Sequence, residues 1–213
     1  MVRAVFLDAL GTLVELEPPW LTLREQVPTD VSDERLQAAL RAEMAYYREH
    51  SNLGKDERSL AELRECCAEI LSAELWRPVD VETMMSAIRF RAYPDAAPAL
   101  SSLRDAGLRL VCVSNWDCSL PAVLERCGLA QLLDGVVTSA EAGSRKPDPA
   151  IFVSALDLAE ASPGEALHVG DSASEDVEGA RAAGISALLL NRGGQGDIAS
   201  LTEVASRVES MQG

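Results

Sequence analysis

Residues 5–13 have the sequence Val5-Phe6-Leu7-Asp8-Ala9-Leu10-Gly11-Thr12-Leu13. The apolar run that ends at Leu7 is short, as expected for a strand that is buried on both faces of a parallel sheet. The run stops at the carboxylate of Asp8, and Gly11 then allows the backbone to turn sharply. Because ligands of open α/β sheets bind at the carboxyl ends of the strands, Asp8 is a candidate functional residue. The alternative is a strand-end aspartate that only caps the next segment.

The chain after this strand divides into a helical segment and an alternating segment. Apolar residues recur at helical spacing between residues 20 and 90, which predicts an inserted helical bundle and no strand there. From residue 93 onward strands and helices alternate, which predicts an α/β fold with a parallel sheet and helices on both faces. The predicted helices include 33–49, 59–76, 80–90, 174–183 and 197–210.

Composition and charge argue against several classes of partner. The chain of 213 residues carries 19 basic and 34 acidic residues, a formal net charge of −15. This charge opposes binding to nucleic acid and to anionic membranes, and an anionic substrate needs a local cation. The sequence has neither an apolar run of membrane-spanning length nor a signal-peptide pattern. The five cysteines lack a metal-binding spacing, so we expect reduced thiols in a cytoplasmic protein.

Four predicted strand ends bring polar side chains to one edge of the sheet. Lys146 belongs to the third of them and is one of only two lysines among 19 basic residues, which marks a place where a compact ammonium group is needed. The four ends offer Asp8, then Ser114 and Asn115, then the loop with Lys146, and finally Asp171 followed by Asp176.

These residues resemble the four motifs of the haloacid dehalogenase-like (HAD) hydrolase superfamily, and the resemblance covers almost the whole chain. Residues 8–13 resemble its first motif, Asp-x-Asp-Gly-Thr-Leu, and Ser114-Asn115 resembles the second. Lys146-Pro147 is similar to the third motif, and residues 170–176 are similar to the fourth. The order of the four motifs along the chain carries more weight than any single one.

The resemblance implies a domain organisation. Residues 1–14 and 92–213 correspond to a Rossmann-like (HAD-like) core, and residues 15–91 correspond to the superfamily's helical cap. Such a cap opens and closes over the site, excluding water and selecting the substrate. We expect its hinges near residues 15–19 and 91–94. The small-molecule substrate itself has no readable code in the sequence, and we expect a monomer or a homodimer.

The resemblance also implies a Mg²⁺-dependent phosphatase that acts on a small phosphorylated metabolite through an aspartyl-phosphate on Asp8. A carboxylate nucleophile and a phosphoryl group repel each other, so cations must bring them together. Lys146 supplies one positive charge, and carboxylates are ligands that Mg²⁺ prefers. The implied metal ligands are Asp8, the backbone carbonyl of Leu10, Asp171 and Asp176.

The same resemblance assigns the phosphate contacts. Hydroxyl, ammonium and backbone N–H groups donate to phosphoryl oxygens, and the residues concerned are Gly11, Ser114, Asn115 and Lys146. Two of the site residues have plainer interpretations. Asp176 is also explained as an acid in the first turn of a helix, stabilised by the helix dipole, and Lys146 as a solvated loop charge. His168 is expected to be a core residue, and Trp116 to pack at the mouth between cap and core.

The sequence departs from the phosphatase pattern at Leu10. Phosphatases of the superfamily have a second aspartate there, which protonates the leaving alkoxide and then activates water. General acid/base catalysis is worth about 10²–10⁴-fold, so simple alkyl phosphates should suffer most from its loss. Asp117, Glu15 or a cap residue are candidate replacements.

Leu10 leaves two alternatives open. The 2-haloacid dehalogenases of the superfamily also lack the second aspartate, and a halide leaves without a proton. Those enzymes are metal-free and replace the Gly-Asp of the fourth motif, whereas this chain retains Asp171. A buried carboxylate facing Asp8 is costly without a cation, which favours the Mg²⁺ site. The second alternative is a protein that binds a phosphorylated ligand and turns it over poorly.

Overall fold

The computed structural model describes residues 1–27 and 30–212, with side chains through residue 211. Within these ranges, five parallel strands form one sheet in the order β5-β4-β1-β6-β7. The strands are β1 (Ala4–Leu7), β4 (Arg109–Ser114), β5 (Gly135–Thr138), β6 (Ala166–Gly170) and β7 (Ser186–Leu189). Two further strands, β2 (Val14–Leu16) and β3 (Phe90–Ala92), form an antiparallel ribbon.

Ten α-helices cover the sheet and form the insert within the described ranges. Helices α1 to α4 lie between the two ribbon strands, and we call them the helical insert. They are α1 (Pro19–Arg24), α2 (Asp33–His50), α3 (Glu57–Leu75) and α4 (Val81–Ala87). The helices of the core are α5 (Ala96–Asp105), α6 (Leu120–Arg126), α7 (Ser139–Ala142), α8 (Pro149–Ala159), α9 (Gly179–Ala182) and α10 (Val204–Gln212). None of the described helices has the length and apolar character needed to cross a membrane.

Strand β1 lies at the centre of the sheet because it is apolar on both faces. Phe6 is in register with Val111 of β4 and with His168 of β6. Side chains of a strand alternate between the two faces. Val5 and Leu7 therefore join a core built with α5, α6 and α10, whereas Ala4 and Phe6 join a core built with α8 and α9. The predicted parallel sheet with helices on both faces is confirmed.

The helical insert has a hydrophobic core of its own. Leu36 and Leu40 of α2 pack in one cluster with Leu63 and Leu71 of α3. Ser32 begins α2 by accepting a hydrogen bond from the backbone N–H of Arg35, which satisfies a donor that the helix itself leaves free. The predicted helices 33–49 and 59–76 correspond to α2 and α3.

The other predicted helix ends need correction. Helix α4 ends at Ala87, and Phe90 begins β3, so the prediction of helix through residue 90 and of no strand in this segment was wrong. The pairing of residues 90–92 with residues 14–16 spans the whole insert, so local periodicity contains no signal for it. The last helix begins at Val204 rather than at 197, because Ile198 forms a bridge with Leu190.

A cavity-forming substitution tests the packing of the sheet against α8. Ile151 is fully buried, whereas Val153 on the same helix is 50% exposed. We expect Ile151→Ala to lower the free energy of unfolding by about 2–5 kcal/mol, because a cavity remains in the core. Val153→Ala should change it by less than about 0.5 kcal/mol. Denaturant unfolding of both variants measures the difference, and equal effects would contradict the assigned packing.

Candidate active site

The site forms where β1 and β6 end side by side. The backbone N–H of Asp8 donates to the carbonyl oxygen of Val169 at 3.0 Å, so the chain after β1 stays next to the end of β6. Two glycines allow the carboxylates there to approach the backbone. Gly11 has a φ of 89°, and a Cβ at this position would overlap the carboxylate of Asp171. A Cβ at Gly170 would overlap the carboxyl group of Asp176.

A buried ammonium group joins two of the aspartates. Lys146 is 2% exposed, and its Nζ atom donates to Oδ1 of Asp8 at 2.6 Å and to Oδ1 of Asp176 at 2.5 Å. Ser114 Oγ donates to the same Asp8 oxygen at 3.0 Å. The Nε2 atom of His168 lies 3.0 Å from Oδ1 of Asp176. An ionised carboxylate only accepts hydrogen bonds, so this nitrogen carries the proton.

Asp176 is held inward by a π-helical turn, Ala173–Glu178, where the sequence predicts regular helix. Its Oδ2 atom accepts from the backbone N–H of Ser172 at 2.9 Å, and the side chain is buried. Single π-helical turns are frequent at functional sites. His168 is buried, as expected of a core residue, but its contact with Asp176 is a second role that the strand pattern does not reveal.

Asn115 and Gly11 have roles in this geometry that differ from the expected phosphate contacts. The Asn115 side chain accepts from the backbone N–H of Lys146 at 2.7 Å and donates to its carbonyl oxygen at 3.0 Å. This pair of hydrogen bonds positions the backbone of Lys146. The N–H of Gly11 donates to the carbonyl oxygen of Val14 at 2.9 Å, so it is engaged within the loop. Gly11 contributes instead by leaving space for Asp171.

Burial and neighbouring charges shift the acidities of the cluster. Burial, together with the charges of Asp176 and Asp171, raises the pKa of Asp8 to about 6 against the opposing effect of Lys146. Burial would also raise the pKa of Asp176, but the Lys146 charge and the hydrogen bond from His168 outweigh it and hold that pKa below its usual range. The two carboxylates raise the pKa of Lys146 despite its burial, so the ammonium stays charged.

The acidic cluster fits a divalent cation. One carboxylate oxygen each from Asp8, Asp171 and Asp176 lies within 4.8 Å of the other two. Three carboxylates and one ammonium group leave two negative charges, which one divalent ion would balance. An all-oxygen donor set suits Mg²⁺ in particular. The backbone carbonyl of Leu10 stays a predicted ligand.

A cavity of about 660 Å³ lies between the helical insert and the carboxylate cluster. The described residues of its wall that come from the core include Asp8, Asp171 and Trp116. Trp116 packs against Phe90 of β3 with ring centroids 5.0 Å apart, so it lies where the ribbon meets the core. The walls contributed by the insert include Glu43, Met44, Tyr47, Arg48, Arg64, Met85 and Ile88. The volume is sufficient for a small metabolite.

Asp117 of the core accepts a hydrogen bond from the helical insert at the wall of this cavity. The Tyr47 hydroxyl donates to Oδ2 of Asp117 at 2.8 Å, and the backbone N–H of Ser119 donates to Oδ1 at 2.7 Å. Both oxygens of Asp117 are therefore occupied. Glu15, the other named candidate to replace the missing aspartate, forms an ion pair with Arg91 at 2.9 Å. Both carboxylates are therefore engaged with neighbouring groups in this arrangement.

Glu43 is a cavity residue that the sequence analysis did not name. It is 5% exposed and lies on the apolar stripe of α2, between Leu40 and Tyr47. Burial raises the pKa of Glu43. The Cys67 thiol donates a hydrogen bond that lowers this pKa, but by less than burial raises it. The helical repeat of α2 predicts an apolar side chain at this position, so the glutamate is a departure that could have been found in the sequence.

The fold and the site together define a Rossmann-like hydrolase of the kind that keeps an aspartate at the end of its first strand. A family model described as haloacid dehalogenase-like hydrolase matches residues 2–184. The chain belongs to the haloacid dehalogenase-like hydrolase family. This confirms the resemblance noted from the four motifs.

Individual relatives agree with this assignment. Over 95 residues, the chain is 45% identical to haloacid dehalogenase-like hydrolase domain-containing protein 3 of Bos taurus, covering 45% of this chain and 38% of that protein. Over 106 residues, it is 40% identical to a phosphoserine phosphatase of Thermus thermophilus, covering 49% of this chain and 43% of that protein. Each match thus spans less than half of the curated relative.

A solved structure shares the fold over the full length. The L-2-haloacid dehalogenase from Xanthobacter autotrophicus superposes with a TM-score of 0.74 and 22% identity, covering 99% of this chain and 100% of that chain. At this identity the likeness supports the fold alone.

Removing the buried ammonium group tests the electrostatics of the cluster. In the presence of EDTA at pH 7.5, we expect Lys146→Met to lower the free energy of unfolding by about 3–5 kcal/mol, because Asp8 and Asp176 lose their shared partner. Without Lys146 the folded-state pKa of Asp8 rises above about 6. The variant then loses stability as the pH rises through that value. The difference in free energy of unfolding between the wild type and the variant should therefore be smaller at pH 5. The matched control is Lys55→Met at the exposed second lysine, and a deficit independent of pH would contradict this account.

Replacing Glu43 tests whether its burial is costly. Its folded-state pKa is raised, so its contribution to stability is greatest below the unfolded value of 4.5 and is lost as the pH rises through the folded value. We expect Glu43→Met to raise the free energy of unfolding by about 1–3 kcal/mol at pH 7.5, and by less at pH 5. Thermal unfolding at both pH values measures this, with Glu34→Gln on the exposed face of α2 as the control. A lower stability of Glu43→Met at pH 7.5 would contradict it.

Proposed function

We propose that this protein is a Mg²⁺-dependent phosphatase that hydrolyses a small phosphorylated metabolite through an aspartyl-phosphate on Asp8. The observation that carries the proposal is the cluster of Asp8, Lys146 and Asp176, with Asp171 beside it. Its two unbalanced negative charges favour a divalent ion. The family membership and the phosphatase among the relatives support the same reaction.

Each residue of the cluster has a defined task in this proposal. Asp8 attacks the phosphorus atom, and the P–O bond to the leaving alkoxide breaks; water then cleaves the aspartyl-phosphate and releases phosphate. Lys146 keeps Asp8 in place and attracts the phosphoryl group, and Ser114 Oγ, which now donates to Asp8, is close enough to donate to a phosphoryl oxygen. When bound by Asp8, Asp171 and Asp176, Mg²⁺ supplies positive charge to the phosphoryl oxygens.

The helical insert is assigned a role as a mobile cap, and the enzyme is assigned to the cytoplasm. We propose that residues 15–91 act as the cap and that the β2–β3 ribbon is where it hinges, since both chain crossings lie there. The Tyr47–Asp117 hydrogen bond then belongs to the closed form. All five cysteines are free thiols, in keeping with the proposed cytoplasmic location. The monomer or homodimer stays a prediction.

Dehalogenation is the second candidate, and Leu10 is the observation that favours it. Leu10 lines the cavity and offers no proton to a leaving group, and a halide needs none. The retained Asp171 disfavours this candidate because it adds a third carboxylate to the cluster. A phospho-ligand-binding protein with weak turnover is the remaining alternative.

An assay panel separates the three candidates. Phosphate esters and 2-haloacids are incubated with Mg²⁺ or with EDTA, and phosphate or halide release is measured. We expect phosphate release that requires Mg²⁺ and falls about 10³-fold or more in Asp8→Asn, with exposed Asp105→Asn unchanged. Halide release in EDTA would establish the dehalogenase instead. Binding of a phosphate analogue without turnover would leave the binding protein.

Restoring the missing aspartate tests the effect of Leu10. We expect Leu10→Asp to raise kcat for alkyl phosphates by up to about 10²-fold, because their alkoxide leaving groups need a proton. The rate with p-nitrophenyl phosphate should change little, since nitrophenolate leaves without one. Steady-state kinetics on both substrates measures the split. An unchanged alkyl phosphate rate in an active enzyme would mean that another acid already acts.

A further inference from the structure

Glu43 is the starting point, because it combines burial, an unpartnered atom and a place in the cavity wall. Its Oε2 atom has no hydrogen-bond partner among the described residues. Four other buried side chains in the described ranges also have an unpartnered atom, but none of them lines the cavity. Glu43 shares that cavity with Asp8, where the phosphoryl group is proposed to react.

The packing of the insert does not explain the presence of a carboxylate here. The neighbours on the same stripe of α2 are Leu36, Ala39 and Leu40, all in the core of the insert. Within the described ranges, the side-chain donor to Glu43 is the thiol of Cys67, which is a weak donor. No ion pair joins Glu43 to a basic group of the described chain. An apolar residue would fill this position at lower cost, so the carboxylate is retained for a reason outside the folded chain.

Three other acids of the cavity already have partners within the described chain. Asp117 accepts from Tyr47 and Ser119, and Glu15 pairs with Arg91. Glu175 lies 3.8 Å from Arg145. The remaining three are the aspartates of the cluster. Glu43 is thus the cavity carboxylate, within the described ranges, that has a buried oxygen without a hydrogen-bond partner.

We infer that Glu43 is a specificity-determining residue that accepts a hydrogen bond from a hydroxyl or ammonium group on the alcohol part of the substrate, while the phosphoryl group lies at Asp8. The inference rests on the proposed phosphatase function. It predicts that the enzyme prefers phosphate esters that carry such a donor. An ester without one leaves the buried carboxylate unsatisfied, which is penalised more strongly than a missing apolar contact.

The discrimination follows from the chemistry of the surrounding wall. Met44, Met85 and Ile88 line the same cavity and offer the substrate apolar contacts that do not depend on a donor. These contacts bind the carbon chain of a donor-bearing ester and of its donor-free analogue alike. The difference between the two esters therefore comes from Glu43.

The test compares matched pairs of esters on three proteins. The pairs are 3-hydroxypropyl phosphate with propyl phosphate, and 2-aminoethyl phosphate with ethyl phosphate. The proteins are the wild type, Glu43→Met and Glu43→Gln. For the wild type we expect kcat/KM to favour the donor-bearing member of at least one pair by about tenfold or more. Glu43→Met should remove that preference, because the donor-free ester no longer leaves a buried carboxylate unsatisfied.

Glu43→Gln identifies the donor. Its amide oxygen still accepts from a hydroxyl, so a preference for the hydroxyl ester survives in this variant. A preference for the ammonium ester is lost, because the negative charge is gone. Glu34→Gln, on the exposed face of the same helix, is the matched control and should keep the wild-type preference. A purely structural role of Glu43 would change stability and leave the ratio within each pair unaltered.

A second readout separates failure of this inference from failure of the proposed function. Thermal stabilisation by each ester is measured in the presence of EDTA, so it needs no turnover. If the wild type releases no phosphate yet is stabilised more by the donor-bearing ester, and Glu43→Met is not, the inference stands without the phosphatase. Equal ratios in the wild type and Glu43→Met, in kinetics and in stabilisation, would overturn it.

Discussion

The structure depends on one buried cation. Lys146 donates to Asp8, which follows β1, and to Asp176, which lies in the π-helical turn after β6. Two buried carboxylates this close would repel each other strongly without it. The backbone of Lys146 is held in turn by the Asn115 side chain, which accepts from its N–H and donates to its carbonyl oxygen. Removal of Lys146 would leave two buried carboxylates without a compensating charge, so the cluster depends on that one ammonium group.

The carboxylate cluster has an excess of negative charge, and this excess determines which ligand the site favours. Lys146 neutralises one of three carboxylates, and the other two negative charges face the cavity. Gly11 and Gly170 permit this concentration of charge because neither has a Cβ to keep the carboxylates apart. A protein with net charge −15 thereby holds a place where a divalent cation is favoured.

Two residues of the cavity wall, one in the core and one in the helical insert, differ from the residue type expected at their positions. Position 10 carries leucine, so the edge of the core lacks the acid that a phosphatase of this family is expected to have there. The insert meanwhile contains a buried carboxylate, Glu43, at a position where its own packing calls for an apolar residue. The two departures lie on opposite sides of one cavity. Local sequence rules fail most often at functional sites, and both failures occur here.

Much of the core was predictable because its determinants are local. The apolar runs that end at Leu7, Val113 and Val169 have the length and pattern of buried strands, and parallel strands place their carboxyl ends at one edge. Asp8, Lys146 and Asp171 were therefore expected together, and the structure brings them together. The β2–β3 ribbon was missed because its strands are three residues each and lie far apart in sequence.

The sequence by itself determined the family, the alternation of strands and helices in the core, and which polar residues reach the carboxyl edge of the sheet. Hydrophobic periodicity and strand-end polarity are properties of neighbouring residues, which is why they can be recognised along a chain. Only the tertiary structure decided the roles of His168, Asn115 and Glu43. Those roles depend on which atoms of distant segments come within hydrogen-bond distance and which remain without a partner, and packing in three dimensions sets both.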